Sequence, residues 1–292
     1  MEYLTTSEAA DYLRLKERKL YELVSESAIP CTKVTGKWLF PRHELDRWVM
    51  SGLATPTGMR GREAPPIVGG SQDALLEWAL RESGSGLATL PEGTEAGVER
   101  LLRGEVVAAG LHYHLADTDD ANPLVVQRLA GLHDGVLVGF ARREQGLLVA
   151  RGNPKDIATF GDVLTSRARV AVRQKGAGAQ MLLDILLGKA GVKEADLNRL
   201  DPPCLTGPDL AAAIASGRGD CGIATRSAAR AAGLDFVPLL WEHFDLLIRQ
   251  SDYFRAPLQA LLHLLRSARM GGRAADLTGY DVTPAGQIRF AP

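Results

Sequence analysis

Residues 67–110 read IVGGSQDALLEWALRESGSGLATLPEGTEAGVERLLRGEVVAAG. Short apolar segments at 67–70, 86–90 and 106–110 alternate with segments of helical spacing near 73–83 and 94–102, which predicts a βαβαβ unit. The alternation resumes downstream: a strand at 170–173, helices at 180–189 and 209–216, a strand at 221–225 and a helix at 227–232. Strands separated by helices form parallel sheets covered on both faces, so the expected class over 67–292 is α/β. In such sheets ligands sit beyond the carboxyl ends of the strands, where loop amides and helix starts point outward.

Four strand-to-helix loops carry polar or glycine-rich sequence. They are Gly69-Gly70-Ser71-Gln72-Asp73, Pro91-Glu92-Gly93-Thr94, the loop from Arg173 to Gln180, and Thr206-Gly207-Pro208-Asp209. Free amides at a helix start favour an anion. The candidate ligand-binding residues are therefore Ser71, Gln72, Thr94, Arg173, Gln174, Gly176, Ala177, Gly178 and Thr206. For Ser71, Thr94 and Thr206 a second reading stands beside this one, because a hydroxyl at a helix start ordinarily caps it.

Upstream, residues 1–50 have another organisation. Thr6 is placed to cap a helix in which Ala9, Ala10 and Leu13 share a face, and a second helix over 17–25 turns Leu20, Leu23 and Val24 inward. Residues 31–34 and 37–40 read as two strands around Thr35-Gly36, a hairpin wing. A third helix begins with Pro41 in its first turn and carries Leu45, Trp48 and Val49 on one face. Eight basic and eight acidic side chains cancel over these residues, yet four of the six residues from Arg14 to Lys19 are basic, and Lys33, Lys37 and Arg42 are the only charges over 27–42. Lys16, Arg18, Lys19, Lys33, Lys37 and Arg42 form one expected phosphate-binding surface, with the second helix entering the major groove. Glu17 stands among them, placed either to repel phosphate or to accept from a cytosine amino group.

Residues 51–66 are rich in Gly, Pro and Thr without apolar periodicity, as a linker would be. The chain of 292 residues thus holds two unequal domains. Its 34 basic and 35 acidic residues give a net charge of -1, so nucleic-acid binding has to come from local clustering. Cys31, Cys204 and Cys221 show neither CxxC spacing nor an even count, which sets aside a disulfide framework and a zinc-ribbon site. The start, Met1-Glu2-Tyr3-Leu4, lacks the pattern of a secretory signal, and no apolar run reaches the roughly 18 residues of a membrane span. The expected location is the cytoplasm.

Two resemblances sharpen this reading. Tyr3-Leu4-Thr5-Thr6-Ser7-Glu8-Ala9-Ala10-Asp11-Tyr12-Leu13, the Thr35-Gly36-Lys37-Trp38-Leu39-Phe40 wing and Glu44-Leu45-Asp46-Arg47-Trp48 resemble the excisionase-type winged helix-turn-helix family. That resemblance implies binding of double-stranded DNA through the second helix and the wing. Residues 66–290 resemble type II periplasmic binding proteins in their cytoplasmic, sensor-like form. The stretches that carry this are Gly70-Ser71-Gln72-Asp73, Arg143-Glu144-Gln145-Gly146-Leu147-Leu148-Val149, Gly152-Asn153-Pro154, Arg173-Gln174-Lys175-Gly176-Ala177-Gly178, Gly219-Asp220-Cys221-Gly222-Ile223 and Thr278-Gly279-Tyr280-Asp281. The resemblance implies two lobes, one of about 67–146 with 247–292 and the other of about 147–246. The chain would cross between them in apolar extended segments at 147–149 and 239–248. Relatives often carry Thr-Arg after the glycine loop where this chain has Ala179-Gln180, a departure that argues against a strongly charged phosphate-like ligand. Molybdate or tungstate, held by neutral donors, fits better as effector.

Other constellations carry less. His112 and His114 flank Tyr113 like a metal pair, but no third ligand follows at helical spacing, so no metal is expected. Asp117, Asp119 and Asp120 lack the glycine and closing Glu of a calcium loop. GxSxG, GxxxxGK[ST] and HExxH are absent, and no cofactor or catalytic residue is expected. The expectation is a one-component transcription regulator, a homodimer on DNA, that senses a small oxyanion; a small organic anion or metabolite is the alternative. An enzyme or cofactor-handling accessory protein is the third reading.

Overall fold

The computed structural model describes residues 2–34, 36–51 and 63–292, with side chains left aside at 50 and 51. The chain divides into two compact units, Met1–Gly61 and Arg62–Pro292. Of the linker expected at 51–66, residues 52–62 lie outside the described residues, as does Thr35 of the expected wing turn.

In the first unit the elements are β1 (Tyr3–Leu4), α1 (Thr6–Tyr12), α2 (Glu17–Ser25), β2 (Thr32–Val34), β3 (Lys37–Pro41) and α3 (Arg42–Ser51). Helix α1 is capped by Thr5 and not by Thr6: the Glu8 amide donates to Thr5 Oγ1 at 3.4 Å while Glu8 Oε2 accepts from the Thr5 amide at 2.8 Å. Such a reciprocal box needs an acid three residues after the cap, and only Thr5 has one. Arg14, at φ 52°, turns the chain sharply into α2. β2 and β3 form the wing, with Val34 opposite Lys37, and β1 joins its other side in the order β1-β3-β2. Ala9, Ala10, Leu20, Ile29, Phe40 and Leu45 make the core. Two expectations change at its edge: Pro41 ends β3 and does not open α3, and Val49 is 46% exposed and so not on the buried face.

The second unit contains one nine-stranded sheet. Strands β4 (Ile67–Gly70), β5 (Ala88–Pro91) and β6 (Ala108–Leu111) alternate with helices α4 (Ala74–Glu82) and α5 (Thr94–Arg103). After α6 (Asn122–Gln127) comes the 15-residue strand β7 (Gly135–Val149). Then follow α7 (Phe160–Thr165), β8 (Val170–Ala171), α8 (Gly178–Ala190), α9 (Gly207–Ala215), β9 (Cys221–Thr225) and α10 (Arg226–Ala232). A second 15-residue strand, β10 (Asp235–Arg249), leads to α11 (Gln250–Tyr253), α12 (Ala256–Leu265), α13 (Ala268–Leu277), β11 (Tyr280–Asp281) and β12 (Ile288–Phe290).

The strand order is β5-β4-β6-β10-β7-β9-β8, with β11 and β12 added on β7. β4 pairs in parallel with β5 and β6, and β8 with β9, but β10 runs antiparallel to β6 and β7, and β7 antiparallel to β9. The sheet is therefore mixed, where parallel strands were expected. The reason is that the two long strands pass from one lobe to the other in opposite directions. Residues 245–248 of β10 pair with β6 in the first lobe, whereas residues 145–149 of β7 already pair with β9 in the second. The crossing on β7 thus precedes the expected 147–149 and falls near 142–144; on β10 it lies within the expected 239–248.

Each lobe buries an apolar layer on both faces of its part of the sheet, around Leu75, Phe140, Phe244 and Leu261 on one face of the first lobe and Leu101, Leu111 and Leu137 on the other. In the second lobe Leu147, Leu183 and Ile223 lie on one face and Leu148, Leu210 and Ile214 on the other. Ala64, inside the expected linker, is 2% exposed in the first-lobe core. Glycine matters where α5 meets β4, because a Cβ on Gly97 would stand 2.2 Å from Gly70 Cα.

Candidate functional site

The long strands place polar residues where two apolar runs break. Arg143 lies opposite Glu242 and Gln145 opposite Leu240 in the β7–β10 ladder. Arg143, Gln145 and Glu242 are each 2% exposed. Paired charges at mid-sheet persist only when partners satisfy them. Arg143 donates from Nε to Glu242 Oε1 and from Nη1 to Asp73 Oδ2 at 2.9 Å, with its guanidinium over the Phe244 ring. Gln145 Nε2 donates to Glu242 Oε1 at 2.9 Å. Burial works against the charge of Arg143, but Glu242 and Asp73 more than offset it and raise its pKa. Burial likewise opposes the Glu242 carboxylate, yet the facing His112 ring and Arg143 hold its pKa well below the ordinary value. His112 is drawn down to about 4 by burial, so its ring is neutral near pH 7.

Above this floor is a cavity of about 120 Å³ between the lobes. Ser71, Gln72, Asp73, His112 and Leu277 wall it from the first lobe, and Arg173, Ala177, Gly207, Thr225 and Ser227 from the second. Arg143 and Gln145 line it from the crossing strands. The starts of α4, α8 and α9 therefore converge on one space. Asp73 caps α4 through the Leu75 and Leu76 amides, both at 2.9 Å, and Thr206 caps α9 through the Asp209 amide at 3.1 Å. No side chain caps α8. The amides of its first two residues, Gly178 and Ala179, thus have no side-chain acceptor, while the Gln180 amide donates to the Ala177 carbonyl at 2.9 Å.

Of the nine residues expected to bind ligand, Ser71, Gln72, Arg173 and Ala177 line the cavity; Thr94, Gln174, Gly176, Gly178 and Thr206 do not. Thr94 is wholly buried, with Oγ1 2.8 Å from Ser71 Oγ and accepting from the His112 amide at 3.3 Å, so it positions Ser71. Neither hydroxyl caps a helix. Gln174 and Gly176 join the lobes instead: Gln174 Nε2 donates to the Glu92 carbonyl at 3.5 Å, and the Gly176 carbonyl accepts from the Glu95 amide at 3.2 Å. Gly178 packs on His112, where a Cβ would meet the ring at 2.2 Å. Thr206 is committed to its cap. Arg143, Gln145, Asp73 and Ser227 also line the cavity and were missed; for Arg143 and Gln145 the signal was the charged stretch Arg142-Arg143-Glu144-Gln145 inside an otherwise apolar strand.

Arg173, half-buried on the cavity wall, differs from the buried Arg143. Its Nε donates to the Cys204 carbonyl at 3.1 Å and its Nη2 to the Leu205 carbonyl at 2.8 Å. Among the described residues no carboxylate pairs with it within 4.0 Å. Burial lowers its pKa to about 10; Cys204 and Asp209 oppose the fall and repulsion from Arg143 adds to it. It remains charged at neutral pH, on the wall of the cavity, with no carboxylate in ion-pair contact among the described residues.

We expect Ser71→Ala to weaken ligand binding about ten- to a hundredfold, since it removes a donor to a charged group, with little loss of stability. Thr94→Ala should do the reverse, costing about 1–3 kcal/mol by leaving the buried His112 amide unpaired while changing affinity only a few-fold. Melting and calorimetric titration on the same pair of variants separate the two roles.

A third ligand-type group does join the two histidines. Glu242 Oε2 lies 2.9 Å from His112 Nδ1 and 2.8 Å from His114 Nε2, brought there by β10 from about 130 residues downstream. Helical spacing could not reveal it, which corrects the reason for setting the pair aside.

In the first unit Lys16, Arg18, Lys19, Lys33, Lys37 and Arg42 are all exposed. Arg18 and Lys19 pair with Glu22 at 3.5 and 3.2 Å, surface contacts weak enough to yield to phosphate. Lys33 lies over the Trp38 ring on the wing. Arg42 is at the other end of β3 from the wing turn, engaged by Glu2 at 2.9 Å and stacked on Tyr12. No helix among the described residues is long and apolar enough to cross a membrane.

Comparisons with known proteins agree with this architecture. The uncharacterized protein YvgK of Bacillus subtilis (strain 168) is 24% identical over 300 residues, covering 97% of this chain and 96% of its own. The fold is similar to that of the tungstate ABC transporter structure from Geobacter sulfurreducens, at a TM-score of 0.52 and 15% identity, over 72% of this chain and 97% of the other. It is also similar to the effector-binding domain of QuiR in complex with shikimate, at a TM-score of 0.50 and 10% identity, over 70% and 95%. A model described as "Helix-turn-helix domain" matches residues 3–52, and one described as "PBP superfamily domain" matches residues 76–266, more than half of the chain. The chain is a member of the PBP superfamily that carries a helix-turn-helix domain at its N-terminus.

Proposed function

We propose that the chain is a transcription regulator that binds duplex DNA through its helix-turn-helix domain and a small oxyanion, such as molybdate or tungstate, between the lobes of its second domain. The observation that carries the anion is Arg173, a half-buried cation on the cavity wall with no carboxylate within 4.0 Å among the described residues. The uncapped start of α8 and the hydroxyls of Ser71, Thr225 and Ser227 supply neutral donors around it. A small organic anion is the second reading, supported by the apolar part of the same wall, where Ala228, Ala231 and Leu277 offer nothing to an oxyanion. Titration calorimetry of the full chain with molybdate, tungstate, sulfate, phosphate and shikimate tests both readings. Micromolar or tighter binding of a tetrahedral oxyanion supports the first, binding of the carboxylate alone supports the second, and silence from all five removes the anion reading.

Ligand would act by holding the lobes together, and it shifts that equilibrium only by its differential affinity for the closed arrangement. The contacts Glu95–Gly176 and Ser227–Tyr280, at 3.2 and 3.1 Å, are the ones that closure would make and opening would break. Nothing in the cavity resembles a nucleophile with its base, so the reading is a sensor and not an enzyme. We place its work in the cytoplasm, where its DNA would be.

On the DNA side, Lys19→Glu combined with Lys37→Glu should lower affinity by more than tenfold and reduce the slope of log K against log salt by about 2. An unchanged slope in fluorescence anisotropy would take these residues out of the interface. The regulator should also bind as a homodimer, because one small winged domain covers few base pairs and two-fold sites are read by pairs. Light scattering of the DNA complex measures this, and one chain per duplex site contradicts it.

A further inference from the structure

We propose that His112, His114 and Glu242 form a binding site for a divalent transition metal of the zinc class, adjoining the anion cavity through His112. The three ligand atoms, His112 Nδ1, His114 Nε2 and Glu242 Oε2, all lie within 4.8 Å of one another. The side chains are 6%, 9% and 2% exposed, so they are held by packing and not gathered by chance at the surface. Two imidazoles and one carboxylate are the donor set that zinc, cobalt and nickel accept, with a fourth position left for water.

The geometry around the trio is that of a supported ligand set. Glu242 Oε1 is fixed by Arg143 and by Gln145, which leaves Oε2 as the free end facing both rings. Outer hydrogen bonds of this kind orient a metal-binding carboxylate. In the absence of a cation both rings donate to that one oxygen. Binding needs Nδ1 of His112 and Nε2 of His114 as lone pairs, so the proton on each of these nitrogens has to move to the other ring nitrogen or leave. Metal bonds of about 2.0–2.2 Å in a tetrahedral arrangement set ligands about 3.3 Å apart. The present separations of 2.9 and 2.8 Å would open by roughly half an ångström. A second cavity of about 100 Å³, lined by His114, Thr118, Asp119, Lys189, Trp241 and Glu242, reaches two of the three ligands and supplies an entry path.

The test uses the full chain, freed of metal by chelator and titrated with Co²⁺ followed by Zn²⁺. The expected result is one Co²⁺ per chain with visible d–d absorption, displaced by Zn²⁺, and at least a hundredfold weaker in His114→Asn. Saturable binding that His114→Asn leaves unchanged, or a cobalt–thiolate band reporting the cysteines instead, overturns the proposal, as does no binding at all. Should His114→Asn fail to fold, anomalous diffraction at the zinc edge from the unaltered protein decides. A peak among His112, His114 and Glu242 upholds the site, and a peak elsewhere or none removes it.

Discussion

Arg143→Met should be the most damaging single change in the second domain, costing about 3–5 kcal/mol of unfolding free energy. The reason lies in what it leaves behind. Asp73 and Glu242, 1% and 2% exposed in their side chains, would lose their shared cation and remain as two carboxylates with almost no contact with solvent. Methionine fills the volume over the Phe244 ring, so the loss measured is of charge compensation and not of packing. A discriminating control follows from the same physics: adding Asp73→Asn and Glu242→Gln to Arg143→Met should restore part of the stability, because no charge is then stranded. Denaturant melts of the three chains measure both effects, and a loss below about 1 kcal/mol in Arg143→Met would mean that solvent reaches the network.

The difference between what the sequence revealed and what only the fold supplies can be followed residue by residue. Helix α2, strand β4 and strand β9 lie where periodicity predicts them, because local patterning is enough to define an element that buries one face. Ser71 and Arg173 were legible as residues of the cavity wall since they occupy strand-to-helix loops. The network of Asp73, Arg143 and Glu242 was not, because its members stand 70 and 99 positions apart and only the antiparallel crossing of β7 and β10 brings them together. Thr94 shows the opposite failure. It sits at the expected junction, but the backbone turns its hydroxyl toward Ser71 and the His112 amide, a direction that no one-dimensional pattern encodes.

The crossing region also explains how one cavity could report to both lobes. Arg143 and Gln145 belong to the strand that passes between them, Asp73 caps a first-lobe helix, and Tyr280 donates to Asp73 at 2.9 Å while lying 3.1 Å from Ser227 of the second lobe. An anion touching Ser71 and Ser227 would thus bear on a hydrogen-bonded chain that already spans the hinge. Coupling of this kind requires an element with two arrangements, and lobes hinged on β7 and β10 would be that element.

Arg173→Gln should abolish most anion binding, by about 10- to 150-fold, while leaving stability within about 1 kcal/mol of the parent. The two halves of this prediction have separate causes. Binding falls because a charge-assisted donor in a partly dehydrated cavity is lost, and no other cation there is free to replace it: Arg143 is committed to Asp73 and Glu242. Stability holds because the empty protein gains little from the charge, as the lowering of its pKa by burial indicates. What Arg173's side chain contributes to the fold is three bonds, to the Cys204 and Leu205 carbonyls and to Gln174 Oε1, of which glutamine can keep one. Arg173→Lys sharpens the test, since lysine retains the charge but not the planar fork and should fall between parent and Gln. Calorimetric titration beside thermal melting, with and without anion, reads both quantities. A glutamine variant that melts as the parent does but shows no shift on adding anion supports a binding role, and one that keeps the full shift excludes Arg173 as the group that selects an anion.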